Sequence, residues 1–159
     1  DLHVILHETL RLLEPEIAAR NIAVQLDLAE SIPLAMIDPG QFQQVFYNLI
    51  RNAYQAISAN HGQVLIRTRV NDFNFIISIE DNGTGISPEH MGSIFEPYRT
   101  TKSSGSGLGL LIVRRIIREH GGEIAIESEE NEGTRVLIHL PHTERPVRLL
   151  ESPDSVIDL

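Results

Sequence analysis

Asp81-Asn82-Gly83-Thr84-Gly85 opens the stretch that organises this chain, and Gly105-Ser106-Gly107-Leu108-Gly109-Leu110 closes it. Glycine lets a backbone approach a ligand closely, and a helix N-terminus offers unpaired N–H groups to an anion. The second cluster precedes a helical pattern of apolar residues and therefore predicts a phosphate cradle. In the first cluster Asp81 follows an apolar β-rich run, where its carboxylate could accept hydrogen bonds from an amine-bearing ring. We interpret the stretch as a nucleotide site, with the polar residues from about 87 to 106 forming a flexible lid.

The composition indicates one globular domain with an acidic surface. Of 159 residues, 42% are hydrophobic and 22% are charged, which is an ordinary globular balance. The net charge of −9 argues against general binding to nucleic acid or to a membrane surface, since both are polyanionic. The chain has no cysteine, so it has neither disulfides nor thiolate metal sites. Its histidines have no metal-ligand spacing, and any bound metal should therefore be a hard cation held by oxygen atoms.

The ends of the sequence indicate a domain taken from a longer protein. The chain starts without Met and within an apolar pattern, and no apolar run reaches the roughly 18 residues of a membrane span. We expect residues 1–140 to form the domain and residues 141–159 to be a tail or linker. We also expect this domain to be cytoplasmic and to make no direct membrane contact, although the parent protein could be membrane-anchored.

The hydrophobic periodicity predicts a mixed sheet covered by helices. An N-terminal helix comes first; strands are expected at residues 22–28, 64–70, 73–80, 123–128 and 134–140, and further helices after Asp38 and over residues 108–119. Strands in adjacent pairs with helices between them favour an α/β (α+β) two-layer sandwich. We expect a mixed, mostly antiparallel sheet of about five strands, with about three helices on one face.

Several local features refine this prediction. Pro15 interrupts the N-terminal helical pattern and is expected to kink the helix or to split it. The sequence Asp38-Pro39-Gly40-Gln41 is typical of a helix start, and that helix should stop near residues 60–62. Met91, Ile94 and Phe95 suggest a short helix inside the lid.

Three polar residues on the first two helices have alternative interpretations. His7, followed by Glu8, could be a phosphoacceptor, but Leu12 stands where that motif has proline, so a solvent-facing helix residue is preferred. Asn48 and Asn52 are four residues apart, and both amides therefore project from one helix face. Seen alone they would be ordinary surface amides. Facing a phosphate-and-cation site, they become candidate ligands.

The chain resembles the ATP-binding catalytic domain of sensor histidine kinases, in the Bergerat-type fold shared with DNA gyrase, mismatch-repair ATPases and a heat-shock chaperone. The resemblance rests on the asparagine box Asn48-Leu49-Ile50-Arg51-Asn52-Ala53, the first glycine box Asp81-Asn82-Gly83-Thr84-Gly85-Ile86, the phenylalanine box Ile94-Phe95-Glu96-Pro97-Tyr98, the second glycine box at residues 105–110, and Gly133-Thr134. Tyr98 replaces the commoner phenylalanine. The lid sequence Thr100-Thr101-Lys102 and the run at residues 52–56 resemble kinases of the nitrogen-regulation type.

The resemblance implies roles for the base-binding residues. Asp81 would accept the adenine amino group and so favour ATP over GTP. Gly83, Gly85 and Ile86 would pass close to the base, and Thr134 would be a sheet residue near the site. The alternative for Asp81 is an Asx turn at a strand end.

The resemblance also implies roles at the phosphate end. Asn52 would coordinate Mg²⁺, and Asn48 would support the phosphate side. Lys102, beside Thr101, would hold the β- and γ-phosphates with the amides of Gly105, Ser106, Gly107, Leu108, Gly109 and Leu110. Lys102 could equally be a solvated lid charge, and Phe95 and Tyr98 could anchor the lid rather than touch the ligand. Gln55 stands where many relatives carry a lysine, so a phosphate contact is not expected there.

The same comparison separates phosphoryl transfer from hydrolysis. Hydrolysing members of the superfamily place a glutamate general base four residues before the metal-binding asparagine, and here that position is Asn48. We therefore expect a histidine kinase half that binds ATP and Mg²⁺ without autophosphorylating. Its partners would be a histidine-bearing dimerisation domain of the same parent protein and a response regulator. An anti-sigma-type serine kinase and a nucleotide-responsive interaction module without transfer activity remain the alternatives.

Overall fold

The computed structural model describes residues 1–58, 61–97 and 107–142. Its elements are α1 (Leu2–Ala19), β1 (Ala23–Asp27), α2 (Pro39–Ala56), β2 (Gln63–Val70), β3 (Asn74–Asp81), α3 (Pro88–Met91), α4 (Gly109–Glu119), β4 (Glu123–Glu129) and β5 (Gly133–Pro141). The strands form one sheet in the order β1-β2-β3-β5-β4, in which β1 is parallel to β2 and the other neighbours are antiparallel. The expected mixed five-stranded sheet with three long helices is confirmed. No helix in these ranges is long and apolar enough to cross a membrane.

The core lies between the sheet and the three long helices. Alternate residues of β2 and β3 are buried, as a strand with one covered face requires. The largest fully buried side chains come from all of these layers: Leu2, Leu6, Leu13, Phe42, Phe46, Leu49, Ile50, Tyr54, Ile66, Phe75, Ile77 and Ile117. Each contributes about 1.5–3 kcal/mol when its side chain is fully removed from water, and together they fix α2 against the sheet.

Helix α1 is continuous from Leu2 to Ala19, so of the two outcomes expected for Pro15, a kink or a split, the split is wrong and the kink stays a prediction. Proline removes only the hydrogen bond to the carbonyl four residues earlier, which here belongs to exposed Arg11. Leu13 and Ile17 on either side are buried and hold the helix against the core. His7 is exposed on the outer face, as predicted.

Helix α2 begins as predicted but ends earlier than expected. The Asp38 carboxylate accepts the Gln41 N–H at 2.8 Å, which completes the predicted N-cap. The helix ends at Ala56, and Ile57 is extended with φ −89° and ψ 118°, so the expected end near residues 60–62 is wrong. The carbonyl of Ala56 instead accepts the N–H of Thr84 at 2.9 Å. A loop that is distant in sequence therefore bonds to the last carbonyl of the helix.

The predicted helix inside the lid is only four residues long. It ends at Met91, so Ile94 and Phe95 lie in the following turn rather than in a helix. Gly92 follows α3, and its N–H bonds to the His90 carbonyl. The Phe95 ring lies against α4 instead, with the Arg114 guanidinium 4.8 Å from its centroid.

A contact between helix ends sets the direction of α4 relative to α2. The backbone N–H of Asp38, at the start of α2, donates to His120 Nε2 just after α4, at 3.1 Å. The His120 ring also meets Phe42 edge-on, with 5.0 Å between centroids. Because the end of α4 meets the start of α2, the N-terminus of α4 lies opposite the later part of α2. That part carries Asn48 and Asn52.

Candidate nucleotide-binding site

Asp81 is the last residue of β3, with Val64 and Thr134 as its partners on the neighbouring strands. It is half-buried, and its Oδ1 accepts the N–H of Gly83 at 2.8 Å. The Asx-type contact considered above is therefore present. A carboxylate has about four acceptor positions, so this bond orients the group without excluding a further donor. The structural and base-binding interpretations of Asp81 are compatible.

The glycines of the first box are required by the protein's own backbone. A Cβ on Gly83 would lie 2.6 Å from the carbonyl oxygen of Ala56. Gly85 has φ +65°, and a Cβ there would lie 2.0 Å from the carbonyl oxygen of Glu129. Gly133 has φ +127°, and its Cβ would lie 2.0 Å from the carbonyl oxygen of Asp81. The loop is thus packed between the end of α2 and the β4–β5 turn.

Backbone hydrogen bonds hold this loop from both sides. Thr84 donates to the Ala56 carbonyl at 2.9 Å, and its own carbonyl accepts the Asn131 N–H at 2.8 Å. Asn82 adds a side-chain link, because its Oδ1 accepts the Gln63 N–H at 2.8 Å. Sequence reasoning quoted Asn82 as part of a motif but gave it no role.

Ser128 contacts residues of the candidate site, and sequence reasoning missed it. Its Oγ accepts the N–H of Ile86 at 2.8 Å, donates to the Gly133 carbonyl at 2.8 Å and lies 2.8 Å from Thr134 Oγ1. One hydroxyl therefore joins two predicted site residues, Ile86 and Thr134, to the β4–β5 turn. The signal was its place in the strand alternation: Ile124 and Ile126 face the core, and Ser128 continues the same face with a polar group.

Asn48 is where the asparagine box meets the second glycine box. Its Nδ2 donates to the Gln44 carbonyl at 2.9 Å, which orients the amide on α2. A Cβ on Gly109 would lie 2.9 Å from Asn48 Oδ1, so glycine leaves room for that oxygen at the first residue of α4. Asn52 is half-buried one turn further along α2. The structure therefore brings together two motifs that are about 60 residues apart in sequence.

The N-terminus of α4 differs from that of α2 in how it is capped. Leu108 precedes α4, and its apolar side chain makes no capping hydrogen bond. Gly107, just before it, has φ +68°. The first N–H groups of a helix have no partner within the helix. The first turn of α4 therefore places N–H groups that lack a partner within the helix beside Asn48, in an arrangement that suits an anion.

Helix α2 is held in place from behind by Tyr54. The side chain is fully buried, its hydroxyl donates to Glu16 of α1, and the Arg20 guanidinium lies 5.7 Å from the ring centroid. Burial raises the pKa of Tyr54 far above its ordinary value, and the hydrogen bond to Glu16 raises it further. The phenol stays protonated near neutral pH and fixes the helix that carries Asn52.

Part of the predicted site lies outside the described residues, namely Tyr98, Thr101, Lys102, Gly105 and Ser106. Among the residues that are described, no three histidine or carboxylate side chains converge on a common point. The amide oxygens of Asn48 and Asn52 are hard donors on one helix face. They fit Mg²⁺, which keeps several waters and takes its remaining ligands from phosphates.

Known proteins are similar to this chain in sequence and in fold. Residues 37–144 match the family described as histidine kinase-, DNA gyrase B-, and HSP90-like ATPase. Sporulation kinase E of Bacillus subtilis is 38% identical over 138 residues, which are 86% of this chain and 19% of that protein. Sensor histidine kinase ZraS of Escherichia coli is 35% identical over 141 residues, covering 89% of this chain and 30% of that protein. The chain thus spans between a fifth and a third of the length of these two relatives.

The solved structures agree on the fold. The catalytic domain of histidine kinase ThkA superposes with a TM-score of 0.80 at 32% identity, covering 91% of this chain and 96% of that one. ThkA in complex with the response regulator protein TrrA superposes with a TM-score of 0.76 at 30% identity, covering 90% of this chain and 41% of that one. The nitrogen-regulation subtype stays a prediction. The chain belongs to the histidine kinase-, DNA gyrase B- and HSP90-like ATPase family, with the fold of a sensor histidine kinase catalytic domain.

Proposed function

We propose that this chain is the ATP-binding catalytic half of a two-component sensor histidine kinase, with its domain spanning residues 1–140. It would present the γ-phosphate of Mg-ATP to a histidine on a separate dimerisation domain of its parent protein, for relay to a response regulator. The observation that carries the proposal is the position of Asn48 Oδ1, 2.9 Å from where a Cβ on Gly109 would stand, which places a polar helix face beside the N-terminus of α4. This phosphoryl transfer would take place in the cytoplasm, where ATP is available.

The adenine end of the proposed site is the loop after β3. The Gly83 N–H orients the Asp81 carboxylate, which would accept the amino group of adenine. Guanine carries a carbonyl at that position and would face the carboxylate with an acceptor, so GTP should bind poorly. The backbone of Gly85 and Ile86 would lie along the base, with Thr134 and Ser128 behind it.

The phosphate end is built from α2 and α4. The N–H groups at Gly107, Leu108, Gly109 and Leu110 would hold phosphate oxygens, helped by the positive end of the α4 dipole. Asn52 would hold Mg²⁺, with Asn48 supporting the phosphates, and we assign Thr101, Lys102, Gly105 and Ser106 to the same end. The ion, when bound, would neutralise the charge that develops on the phosphoryl group.

The same residues favour transfer over hydrolysis. An amide has no basic lone pair near neutral pH, so Asn48 cannot take a proton from water. Its NH₂ group is already bonded to the Gln44 carbonyl, which leaves the oxygen to face Gly109. The γ-phosphate would therefore await an external nucleophile. ThkA, which shares this fold, has been solved with a response regulator protein, and this supports the proposed partner class.

The substitution Asp81→Asn tests the adenine assignment. Asparagine keeps an oxygen for the Gly83 N–H but replaces the other acceptor by a donor, so the loop is preserved while the ligand contact is reversed. We expect ATP affinity, measured by calorimetry with Mg²⁺, to fall about 100-fold, since bonds to charged groups are worth roughly 1.5–3 kcal/mol. Exposed Asp72 in the β2–β3 turn provides the matched control, Asp72→Asn, which should bind ATP like the wild type.

Two further measurements complete this test. The wild-type chain should prefer ATP to GTP and should release no phosphate at steady state. Unchanged ATP affinity in Asp81→Asn would contradict the base assignment. Steady hydrolysis would contradict the role of Asn48 and move the chain towards the hydrolysing members of the family.

A further inference from the structure

A second cleft lies at the other end of α4 from the nucleotide site. It has a volume of about 450 Å³ and is lined by Phe95, Arg114, Arg118, Gly122, Glu123 and Ile124. Ligand clefts typically measure about 300–1,000 Å³. Arg118 comes nine residues after Gly109 in the chain, which corresponds to about 13 Å along a helix. The cleft therefore runs along the later half of α4, away from its first turn, and the charges that line it do not depend on the proposed function.

Two guanidinium groups in this cleft have no carboxylate partner in the part of the chain that the structure describes. Arg114 is half-buried and lies over the Phe95 ring, with 4.8 Å from its Cζ to the ring centroid. Arg118, one turn further on, forms neither an ion pair nor a side-chain hydrogen bond with the described residues. Arg115 on the same helix does pair, with Glu119 at 2.7 Å, although both side chains are largely exposed. Among the described residues, Arg115 therefore has a carboxylate partner, whereas half-buried Arg114 and exposed Arg118 have none.

The electrostatics of the cleft favour an anionic ligand of low charge. The Arg114 guanidinium lies over the Phe95 ring, and a guanidinium can donate two parallel hydrogen bonds to a carboxylate. The chain as a whole carries a net charge of −9, so the two adjacent arginines form a locally positive patch on an acidic protein. Glu123 adds one negative charge to the lining. It would repel a multiply charged phosphate more strongly than a single carboxylate.

We propose that this cleft is a docking site for an acidic helical segment of a partner protein. Arg114 and Arg118 are four residues apart on one helix face, and carboxylates at positions i and i+4 of a partner helix have the same spacing. An apolar side chain between those carboxylates would fill the remaining space against Ile124 and Phe95. Each arginine would take one carboxylate of the partner helix.

The test uses the whole 159-residue chain and a synthetic helical peptide with glutamates at i and i+4 and a leucine between them. We expect saturable binding by fluorescence anisotropy, with shifts of the Arg114 and Arg118 Nε–H signals in NMR spectra. Arg114→Gln and Arg118→Gln should each weaken the affinity about tenfold, the loss of one charge-assisted bond. Arg115→Gln removes the same charge from the same helix and should stay within about twofold.

Other results would overturn the proposal. Equal binding of a peptide with glutamines in place of the glutamates would show that the carboxylates are not recognised. An equal loss in Arg115→Gln would reduce the effect to general charge attraction. Competition by inorganic phosphate at the peptide's own concentration would make this a phosphate site, and no saturable binding would leave the two arginines as solvated side chains. Because ATP binding is measured separately, a failed nucleotide proposal would leave these outcomes unchanged.

Discussion

The loop after β3 and the start of α4 are both glycine-rich, yet the protein treats them in opposite ways. The loop at residues 81–86 is bonded to the end of α2 through Thr84 and to the β4–β5 hairpin through Ser128 and Asn131. The first turn of α4 receives no capping hydrogen bond from the Leu108 side chain and faces the oxygen of Asn48. The loop uses its hydrogen-bonding groups within the fold, whereas the first turn of α4 contains N–H groups that have no partner within the helix.

This contrast teaches that a glycine motif can have two physical causes. Gly85 and Gly133 are needed because a carbonyl of the same protein occupies the space where a Cβ would stand. Gly109 is needed because a polar side-chain atom stands there. A backbone neighbour cannot move away cheaply, whereas a side-chain tip can. Substitution should therefore affect stability at the loop and ligand binding at the helix.

Gly85→Ala should have the largest effect, because it attacks the packed loop. Alanine would have to adopt φ +65° and would bring its Cβ within 2.0 Å of the Glu129 carbonyl oxygen. We expect the free energy of unfolding to fall by about 3 kcal/mol, from the left-handed conformation and the overlap together. Urea denaturation followed by circular dichroism measures this change.

Gly92 provides the matched control for that substitution. It has φ −66°, and nothing lies within 4 Å of the position that a Cβ would take, so Gly92→Ala should change stability by no more than about 0.5 kcal/mol. Equal stability of the Gly85 and Gly92 variants would show that the loop is not locked by its packing, and the contrast between the two regions would fail.

Gly109→Ala should have an intermediate effect, on binding rather than on stability. The added Cβ would lie 2.9 Å from Asn48 Oδ1 and would push the amide away from the start of α4. Stability should change by less than about 1 kcal/mol, because alanine favours a helix. ATP affinity in the presence of Mg²⁺ should fall about tenfold, since a small displacement of a binding group is costly. Wild-type affinity would show that Asn48 has no part in the phosphate end.

The elements that position the site could be predicted because their signals are local. Asp38 and Gln41 predict the start of α2, and the bond between them is present. The β2–β3 turn is held by Asn71, whose Oδ1 accepts the N–H groups of Phe73 and Asn74. In each case the residues that form the bond lie within three positions of each other, so a short stretch of sequence is enough to predict the local structure.

The errors arose where a distant part of the chain decides the local structure. The end of α2 is set by Thr84, which bonds to the Ala56 carbonyl from 28 positions away. In the turn after α3, Phe95 packs on Arg114 of a helix further along the chain. Ser128 of β4 accepts the N–H of Ile86, which lies in the loop after β3. No periodicity within one segment reports such contacts. The motif resemblance named candidate site residues, and the contacts that hold the described ones in place appear only in the fold.

Ser128→Ala should have the smallest effect and refines the contrast within the loop itself. The Ser128 hydroxyl accepts the Ile86 N–H and contacts both Gly133 and Thr134, so its loss leaves one backbone donor without its partner. We expect a loss of about 1 kcal/mol in unfolding free energy and about threefold in ATP affinity. Ser128→Thr keeps the hydroxyl on a strand that accepts β-branched residues, and it should restore both quantities.

Ser78 is the control that separates this role from the loss of any half-buried hydroxyl. It lies in β3 on the other face of the sheet, is 4% exposed and donates to Glu80 at 3.1 Å. Ser78→Ala should also cost about 1 kcal/mol of stability, but it should leave ATP affinity unchanged because no site residue contacts it. If both alanine variants bind ATP like the wild type, the Ile86 end of the loop is held by its backbone bonds alone. If only Ser128→Ala weakens binding, a single hydroxyl transmits the packing of the β4–β5 turn to the base-binding loop.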